Sequence, residues 1–278
     1  MTRWGLSPRE SCMAKTTIKD IIKAKQEGRK ITVLTAADYL TASLIDEAGV
    51  DIILVGDSLG MTTLGYETTL PVTMEEMLHH TKAVVRGVKN SLVVGDMPFM
   101  SFQLSEDEAV ENACLFLKEA GAEAVKLEGA TDSILSLVKR LTSIGVPVMG
   151  HLGLTPQSIH QFGGYDVQAA DDKAAKVLLQ QAKALEDAGA FSIVLEKIPA
   201  AIGGKVSQSL QIPTISIGGG PLCDGQVLVT ADMLGLFSKF KPKFAKRYAE
   251  IGDAMKKAFT EFKDEVEEGK FPTEEHSY

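Results

Sequence analysis

One short phrase recurs three times along the chain and constrains its fold more than any other feature. The copies are Glu47-Ala-Gly-Val-Asp-Ile-Ile-Leu-Val, Glu119-Ala-Gly-Ala-Glu-Ala-Val-Lys-Leu and Asp187-Ala-Gly-Ala-Phe-Ser-Ile-Val-Leu. Each copy ends a predicted helix at a glycine, which readily adopts the left-handed backbone of a helix C-terminus. A β-rich apolar run follows at once. Helix, glycine turn and buried strand in series are typical of a parallel sheet whose strands are joined by helices.

Eight apolar runs are predicted to be strands. They are Ile31 to Ala36, Asp51 to Val55, Leu92 to Gly95, Ala124 to Leu127, Val146 to Gly150, Ser192 to Leu195, Thr214 to Ile217 and Gln226 to Val229. Eight strands alternating with helices predict a closed α/β fold, the (β/α)8 TIM barrel, and the chain length fits the ~200 to 400 residues of such barrels. A doubly wound open sheet is the alternative, but its G-x-G-x-x-G fingerprint is missing after the first strand.

The barrel is predicted to form a single catalytic domain over residues 16–278. The polar residues 1–15 are predicted to be a disordered leader. Capping patterns mark several helix starts, namely Thr73 with Glu76, Ser105 with Glu108, and Thr155 before Pro156. Apolar side chains at helical spacing predict an amphipathic closing helix. These side chains are Tyr248, Met255, Phe259, Phe262 and Val266.

Charge and cysteine content exclude several classes of protein. The net charge of -8 argues against nucleic-acid binding, which needs clustered lysine and arginine. No apolar run approaches the ~18 residues of a membrane span, so no membrane association is expected. Cys12, Cys114 and Cys223 are too few and too scattered for a disulfide framework. A reduced, cytoplasmic setting is therefore expected.

Ionisable residues follow five successive predicted strands. Asp57, Asp96, Glu128, His151 and Glu196 stand at or just beyond the strand ends. Active sites of (β/α)8 barrels are built at the C-terminal ends of the strands. Consecutive strands of a barrel are neighbours, so these five side chains are predicted to share one arc of the rim.

Three of these residues predict a metal site. Asp57, Asp96 and Glu128 would repel one another unless a cation lay among them. Oxygen-only ligands favour Mg²⁺ over Zn²⁺. Lys126 is two residues before Glu128, so both side chains lie on the same side of their strand. We expect Lys126 to bind a substrate carboxylate beside the metal.

Each of these residues also has a purely structural interpretation. Asp57 and Asp96 could be helix or turn caps, and Lys126 could form a structural ion pair with Glu128. His151 is predicted to support the site by hydrogen bonding rather than to bind the metal directly.

Glu196, after the sixth strand, and the glycine run after the seventh strand also have both a functional and a structural interpretation. Glu196 could pair with Lys197. Gly218-Gly219-Gly220 could cradle a phosphate, but a close-packed turn is the preferred interpretation.

Beyond single residues, the chain resembles the ketopantoate hydroxymethyltransferase family, also called 3-methyl-2-oxobutanoate hydroxymethyltransferases, from about Ile18 to its end. The phrases that carry this resemblance are Val55-Gly-Asp-Ser-Leu-Gly-Met61, Leu70-Pro-Val-Thr73, His80-Thr-Lys-Ala-Val84, Asp96-Met-Pro-Phe99, Val125-Lys-Leu-Glu-Gly129, Gly150-His-Leu-Gly-Leu-Thr-Pro-Gln157, Phe162-Gly-Gly-Tyr165, Asp224-Gly-Gln-Val-Leu-Val229 and Glu275-His-Ser-Tyr278. Three segments depart from the family pattern, namely Ala36-Ala37-Asp38-Tyr39, Ile217-Gly-Gly-Gly220 and Thr230-Ala231-Asp232. None of them includes a predicted metal ligand.

The resemblance implies roles for individual residues. Asp57, Asp96 and Glu128 match the family's Mg²⁺ ligands. Asp57, Ser58, Asp96 and Lys126 match its contacts with the 2-oxo acid. Glu196 matches its proton acceptor.

The resemblance also implies the reaction. The family transfers a hydroxymethyl group from 5,10-methylenetetrahydrofolate to 3-methyl-2-oxobutanoate, which gives 2-dehydropantoate for pantothenate synthesis. Mg²⁺ would act as a Lewis acid on the keto group and stabilise the enolate. Known members are homo-oligomers, often homodecamers.

Two other functions remain open on the sequence. One is a Mg²⁺-dependent lyase or mutase of the phosphoenolpyruvate mutase and isocitrate lyase kind, although no cysteine-bearing lyase motif is evident. The other is a catalytically inactive barrel that binds a metabolite.

Overall fold

The computed structural model describes residues 14–236 and 242–278. Most of the predicted leader, residues 1–13, lies outside the described residues. Lys15, at its end, donates a hydrogen bond to the Ser91 carbonyl at 2.7 Å and pairs with Glu123 at 3.0 Å. In the described part of the chain, no helix combines the length and apolar character needed to cross a membrane.

Eight parallel strands close into a barrel in sequence order. The strands are β1 (Ile31–Thr35), β2 (Ile52–Val55), β3 (Leu92–Asp96), β4 (Ala124–Glu128), β5 (Val148–Gly153), β6 (Ser192–Glu196), β7 (Thr214–Ile217) and β8 (Gly225–Leu228). The barrel closes where β1 pairs with β8, with Ile31 opposite Gly225 and Leu34 opposite Leu228. The predicted (β/α)8 barrel is confirmed.

Helices precede, connect and follow the strands. They are α1 (Ile18–Gln26), α2 (Tyr39–Glu47), α3 (Leu59–Thr62), α4 (Met74–Gly87), α5 (Glu106–Lys118), α6 (Asp132–Ser143), α7 (Ile159–Phe162), α8 (Asp172–Asp187), α9 (Ala200–Ser209), α10 (Thr230–Met233) and α11 (Ile251–Glu267). Two 3₁₀ turns cover Pro156–Ser158 and Glu274–His276.

The fifth strand differs most from its predicted bounds. It begins at Val148 rather than Val146 and continues to Gly153. Pro147 has no N–H to give to a sheet ladder, which accounts for the later start. His151 and Leu152 both pair with β6. His151 therefore lies within a strand and not beyond its end.

The predicted helix caps had mixed outcomes. The Thr73 and Glu76 capping box is confirmed. Ser105 accepts a hydrogen bond from the Glu108 N–H, which is half of the predicted box. Thr155 stands at the N-cap and Pro156 opens the next element, as predicted, but that element is a 3₁₀ turn and the Thr155 side chain makes no capping bond.

The core has two layers, one inside the barrel and one between the barrel and its helices. The inner layer is made by alternate residues of the strands, since successive strand residues face opposite sides. Its members include Val33, Leu54, Val94, Ala124, Met149, Val194, Ile215 and Val227. Side chains two positions beyond these, in the same strand phase, point into the upper mouth of the barrel.

The predicted closing helix is confirmed as α11, but Tyr248 precedes it. The apolar side chains of α11 are not packed on the barrel, and none of its residues is buried. Phe259 is 63% exposed and Met255 is 43% exposed. This chain alone therefore leaves an apolar helix face uncovered.

A buried carboxylate, Asp46 of α2, ties the lower end of the barrel together. It accepts hydrogen bonds from the backbone N–H groups of Lys89, Asn90 and Ser91 at 2.7 to 3.0 Å. Burial favours the protonated acid, but the donors of Ser91, Asn90 and Lys89 outweigh it and lower the pKa of Asp46. The charged form is thus favoured by folding.

We expect Asp46→Ala to lower the free energy of unfolding by about 3 kcal/mol, because several buried N–H donors lose their acceptor. Since folding lowers the pKa of Asp46, its contribution is present above the ordinary aspartate pKa and is lost as pH falls. Urea unfolding at neutral pH and at about pH 2.5, well below the ordinary aspartate pKa, tests both points. The exposed Asp253→Ala in α11 is the control. An equal loss in both variants would contradict the assignment.

Candidate active site

Six ionisable side chains lie at the C-terminal mouth of the barrel. Five of these side chains point into the barrel. Each stands two or four residues beyond an inner-core residue of its strand, and side chains at even spacing lie on the same face of a strand. In β3, Val94 leads to Asp96, and in β4, Ala124 leads to Lys126 and Glu128. His151 of β5 follows Met149, and Glu196 of β6 follows Val194. Asp57 follows β2 in the adjoining turn.

Asp57, Asp96 and Glu128 form a buried acidic arc, as predicted. They are 4%, 2% and 7% exposed. Burial and the charges of Asp96 and Glu128 raise the pKa of Asp57 well above its usual range. Burial also raises the pKa of Asp96, against the attraction of Lys126. The repulsion expected from three neighbouring carboxylates is therefore present in the folded chain.

Lys126 supplies positive charge within this arc. Its Nζ lies 2.6 Å from Asp96 Oδ1, and both side chains are buried. Burial favours the neutral amine, but Asp96, Glu128 and Asp57 reverse that effect and raise the pKa of Lys126. The structural ion pair considered for Lys126 is thus made with Asp96 and not with Glu128.

Gln157 holds two of the carboxylates and was not among the predicted site residues. Its Nε2 donates to Asp57 Oδ2 at 3.0 Å and to the Met97 carbonyl at 2.9 Å. Its backbone N–H donates to Glu128 Oε2 at 3.0 Å. The available sequence signal was weak, since Gln157 lies after Thr155-Pro156 in a loop with no periodic pattern.

His151 lies between Glu128 and Glu196. Its Nδ1 is 3.4 Å from Glu128 Oε1, and its Nε2 is 3.3 Å from Glu196 Oε2. Burial and the charge of Lys126 favour the neutral ring, but the two carboxylates outweigh them and raise the pKa of His151 to about 9. The arrangement agrees with a supporting role for His151.

Two alternative roles are settled by contacts elsewhere in the mouth. Lys197 donates to the Tyr165 carbonyl, and Glu196 contacts His151 rather than Lys197. Gly218 and Gly220 have positive φ. A Cβ at Gly220 would lie 2.4 Å from the Ala200 Cβ, which confirms a close-packed turn there.

A single cavity of about 460 Å³ joins these groups. Its lining includes Asp57, Ser58, Asp96, Lys126, Glu128, His151 and Glu196. Ser58 is the residue before α3 and makes no side-chain cap bond to that helix. Every predicted catalytic, substrate-binding and metal-binding residue therefore faces one cavity.

The acidic arc fits a hard divalent cation in its donor chemistry. All three side chains offer carboxylate oxygens, the ligands that Mg²⁺ prefers. Glu128 Oε1 is buried and has no hydrogen-bond partner. Within residues 14–236 and 242–278, however, no three ligand side chains are already gathered around one metal position. Lys126 lies against Asp96 and provides the compensating charge in this arrangement.

Comparison with known proteins identifies the family. The family model described as ketopantoate hydroxymethyltransferase matches residues 15–274. A 3-methyl-2-oxobutanoate hydroxymethyltransferase of Syntrophus aciditrophicus is 56% identical over 264 residues, which cover 95% of this chain and 97% of that protein. One of the same name from Caldicellulosiruptor saccharolyticus is 55% identical over 266 residues, covering 96% and 100%.

Solved structures share the fold at much lower identity. A phosphonopyruvate hydrolase in complex with oxalate and Mg²⁺ has a TM-score of 0.62 at 14% identity, covering 95% of this chain and 93% of that one. A phosphoenolpyruvate phosphomutase from Streptomyces platensis subsp. rosaceus has a TM-score of 0.60 at 15% identity, covering 94% and 91%. The family match spans nearly all of the described barrel. The chain therefore belongs to the ketopantoate hydroxymethyltransferase family.

Proposed function

We propose that this protein transfers a hydroxymethyl group from 5,10-methylenetetrahydrofolate to 3-methyl-2-oxobutanoate, giving 2-dehydropantoate for pantothenate synthesis. The names of relatives that are 55 to 56% identical over nearly the whole chain support the acceptor and the transferred group. The observation that carries the proposal is one cavity with a buried acidic arc and Lys126 on one side and the Glu196 carboxylate facing the same space.

Mg²⁺ bound at Asp57, Asp96 and Glu128 would draw electron density from the keto group of the oxo acid and so acidify its C3–H. Lys126 and Ser58 would bind the oxo acid and fix its orientation. Lys126 is suited to hold a carboxylate because its charge is retained in a buried position. Orientation of this kind lowers the entropic part of the barrier.

Glu196 would accept the C3 proton. Its side chain is 15% exposed and contacts His151 Nε2 at 3.3 Å. That contact would hold the carboxylate toward the substrate. The carbon nucleophile left at C3 then bonds to the methylene carbon of the folate as one C–N bond to that carbon breaks. Water replaces the second nitrogen and supplies the hydroxyl group. The proton from C3 and one proton of the water go to the two nitrogens, which gives the hydroxymethyl product and tetrahydrofolate.

The alternatives raised by the sequence predict other behaviour. A lyase or mutase would turn over without folate, and an inactive barrel would not turn over at all. The test combines 3-methyl-2-oxobutanoate and 5,10-methylenetetrahydrofolate with the protein, with and without Mg²⁺, and follows 2-dehydropantoate. With the protein present, we expect product only when the oxo acid, the folate and Mg²⁺ are all added. Product without folate, or none under any condition, would contradict the proposal.

We expect Gln157→Ala to weaken Mg²⁺ binding by about 10- to 100-fold, the usual effect of removing a residue that orients metal ligands. The variant loses the hydrogen bond from the side-chain amide of Gln157 to Asp57. The hydrogen bond from the backbone N–H of residue 157 to Glu128 is kept. Calorimetric titration with Mg²⁺ measures the change. Gln161→Ala, at an exposed position of α7, is the matched control. Unchanged affinity would show that Gln157 does not position the ligands.

The proposal includes self-association. Met255, Phe259, Phe262 and Val266 leave an apolar face on α11, and contiguous apolar surface often marks an interface. Light scattering coupled to size-exclusion chromatography gives the mass in solution. A monomer would contradict this part of the proposal and leave the chemistry untouched.

A further inference from the structure

The cavity is larger than the oxo acid needs. Its volume of about 460 Å³ falls within the ~300 to 1,000 Å³ typical of pockets for drug-sized ligands. A five-carbon oxo acid beside the acidic arc would fill only part of it. Another part of the cavity lining comes from β6, β7 and β8, and β8 lies opposite β4 because the eight strands are arranged in sequence order.

That part of the cavity has a different character from the acidic arc. Its walls include Val194, Ile217 and Val227, one from each of the three strands. The ring of Phe244 packs beside them, and a Cβ built at Gly218 would lie only 3.0 Å from that ring. Apolar and aromatic walls of this kind suit a flat ring system.

One carboxylate is set into this apolar wall. Asp232, in the short helix α10 after β8, lines the cavity and is partly buried. Burial raises the pKa of Asp232 despite the charge of Arg247. A partly buried carboxylate that faces the cavity can accept hydrogen bonds from the N–H groups of a ligand.

We propose that the β6–β8 side of the cavity binds the pterin ring of the folate, with the Asp232 carboxylate accepting hydrogen bonds from the ring N3–H and the 2-amino group. These two N–H groups lie side by side and match the two oxygens of a carboxylate. Lys243, at an exposed position of the cavity lining, provides a cation for the glutamate end of the donor. This assignment rests on the proposed function, because it takes folate as the one-carbon donor.

The first test measures Asp232→Asn. The amide nitrogen replaces an acceptor oxygen and meets a ligand N–H, so we expect the Kd for tetrahydrofolate, measured by calorimetry with the oxo acid present, to rise at least tenfold. The KM for 5,10-methylenetetrahydrofolate should rise similarly. The KM for 3-methyl-2-oxobutanoate and the folate-free exchange of its C3 proton should stay within twofold. Asp253→Asn, on the exposed face of α11, should change none of these.

A second test needs no altered protein. Tetrahydrofolate lacking the 2-amino group should bind the unaltered protein about tenfold more weakly than tetrahydrofolate, and Asp232→Asn should remove most of that difference. An unchanged Kd in Asp232→Asn, or equal binding of the two ligands by the unaltered protein, would overturn the assignment. If tetrahydrofolate binds as expected but no product forms, the proposed function fails while the binding assignment stands.

Discussion

Glu196→Gln is expected to slow the exchange of the C3 proton of 3-methyl-2-oxobutanoate by about 10²- to 10⁴-fold, the range that a positioned general base contributes. Glutamine keeps the size of the side chain and its approach to His151 but cannot accept the proton. The KM for the oxo acid should change little, because Lys126 and the acidic arc lie on or after strands other than β6. Exchange in deuterated water without folate isolates this step.

The control for this prediction is Glu111→Gln, at an exposed position of α5, which should exchange at the unaltered rate. Undiminished exchange in Glu196→Gln would remove Glu196 as the base. A matching rise in the KM for the oxo acid would instead assign Glu196 to binding.

Lys126→Met is expected to lower the free energy of unfolding by about 3 to 5 kcal/mol in the presence of a chelator, because Asp57, Asp96 and Glu128 lose the cation that compensates them. Burial and mutual repulsion already raise the pKa of Asp57 and of Asp96. A group whose pKa is raised by folding stabilises the fold below its ordinary pKa and loses that contribution as pH rises. The variant should therefore become less stable from about pH 4 upward.

Added Mg²⁺ should restore much of this stability, since it binds the folded arc and supplies the missing charge. Thermal unfolding with chelator and with Mg²⁺, at two pH values, measures both effects. Lys118→Met, an exposed lysine of α5, is the control and should respond to neither. A Lys126→Met protein whose stability does not depend on pH or Mg²⁺ would contradict the account of the arc.

The barrel was predictable because its signals are local and repeated. A glycine follows α2, α5 and α8, and the apolar run after each of these glycines contains the next strand. The predicted site residues followed from strand ends, and the structure brings them to one cavity. The face of the strand on which a side chain lies would have been a better criterion for site residues than its position at a strand end. It includes His151, which lies inside β5.

Contacts between distant loops were not predictable in this way. Gln157 reaches Asp57 across 100 positions of sequence, and no spacing rule connects the two. The pairing of Lys126 with Asp96 rather than Glu128 depends on the stagger between β3 and β4, where Asp96 stands opposite Lys126. Neither the stagger nor the loop path is encoded in a local pattern.

The closure of β1 on β8 has a consequence for how the chain is made. Leu34 pairs with Leu228, so a growing chain on the ribosome exposes β1 long before its partner has been synthesised. The strands that carry Asp96, Lys126 and Glu196 are synthesised after β1 and before β8. Until β8 is present, the partly formed sheet has an unpaired strand at each edge. Such edges invite pairing with other chains, and contacts so distant in sequence form slowly. Newly made protein is therefore most at risk of aggregation in the interval before residues 225–228 leave the ribosome.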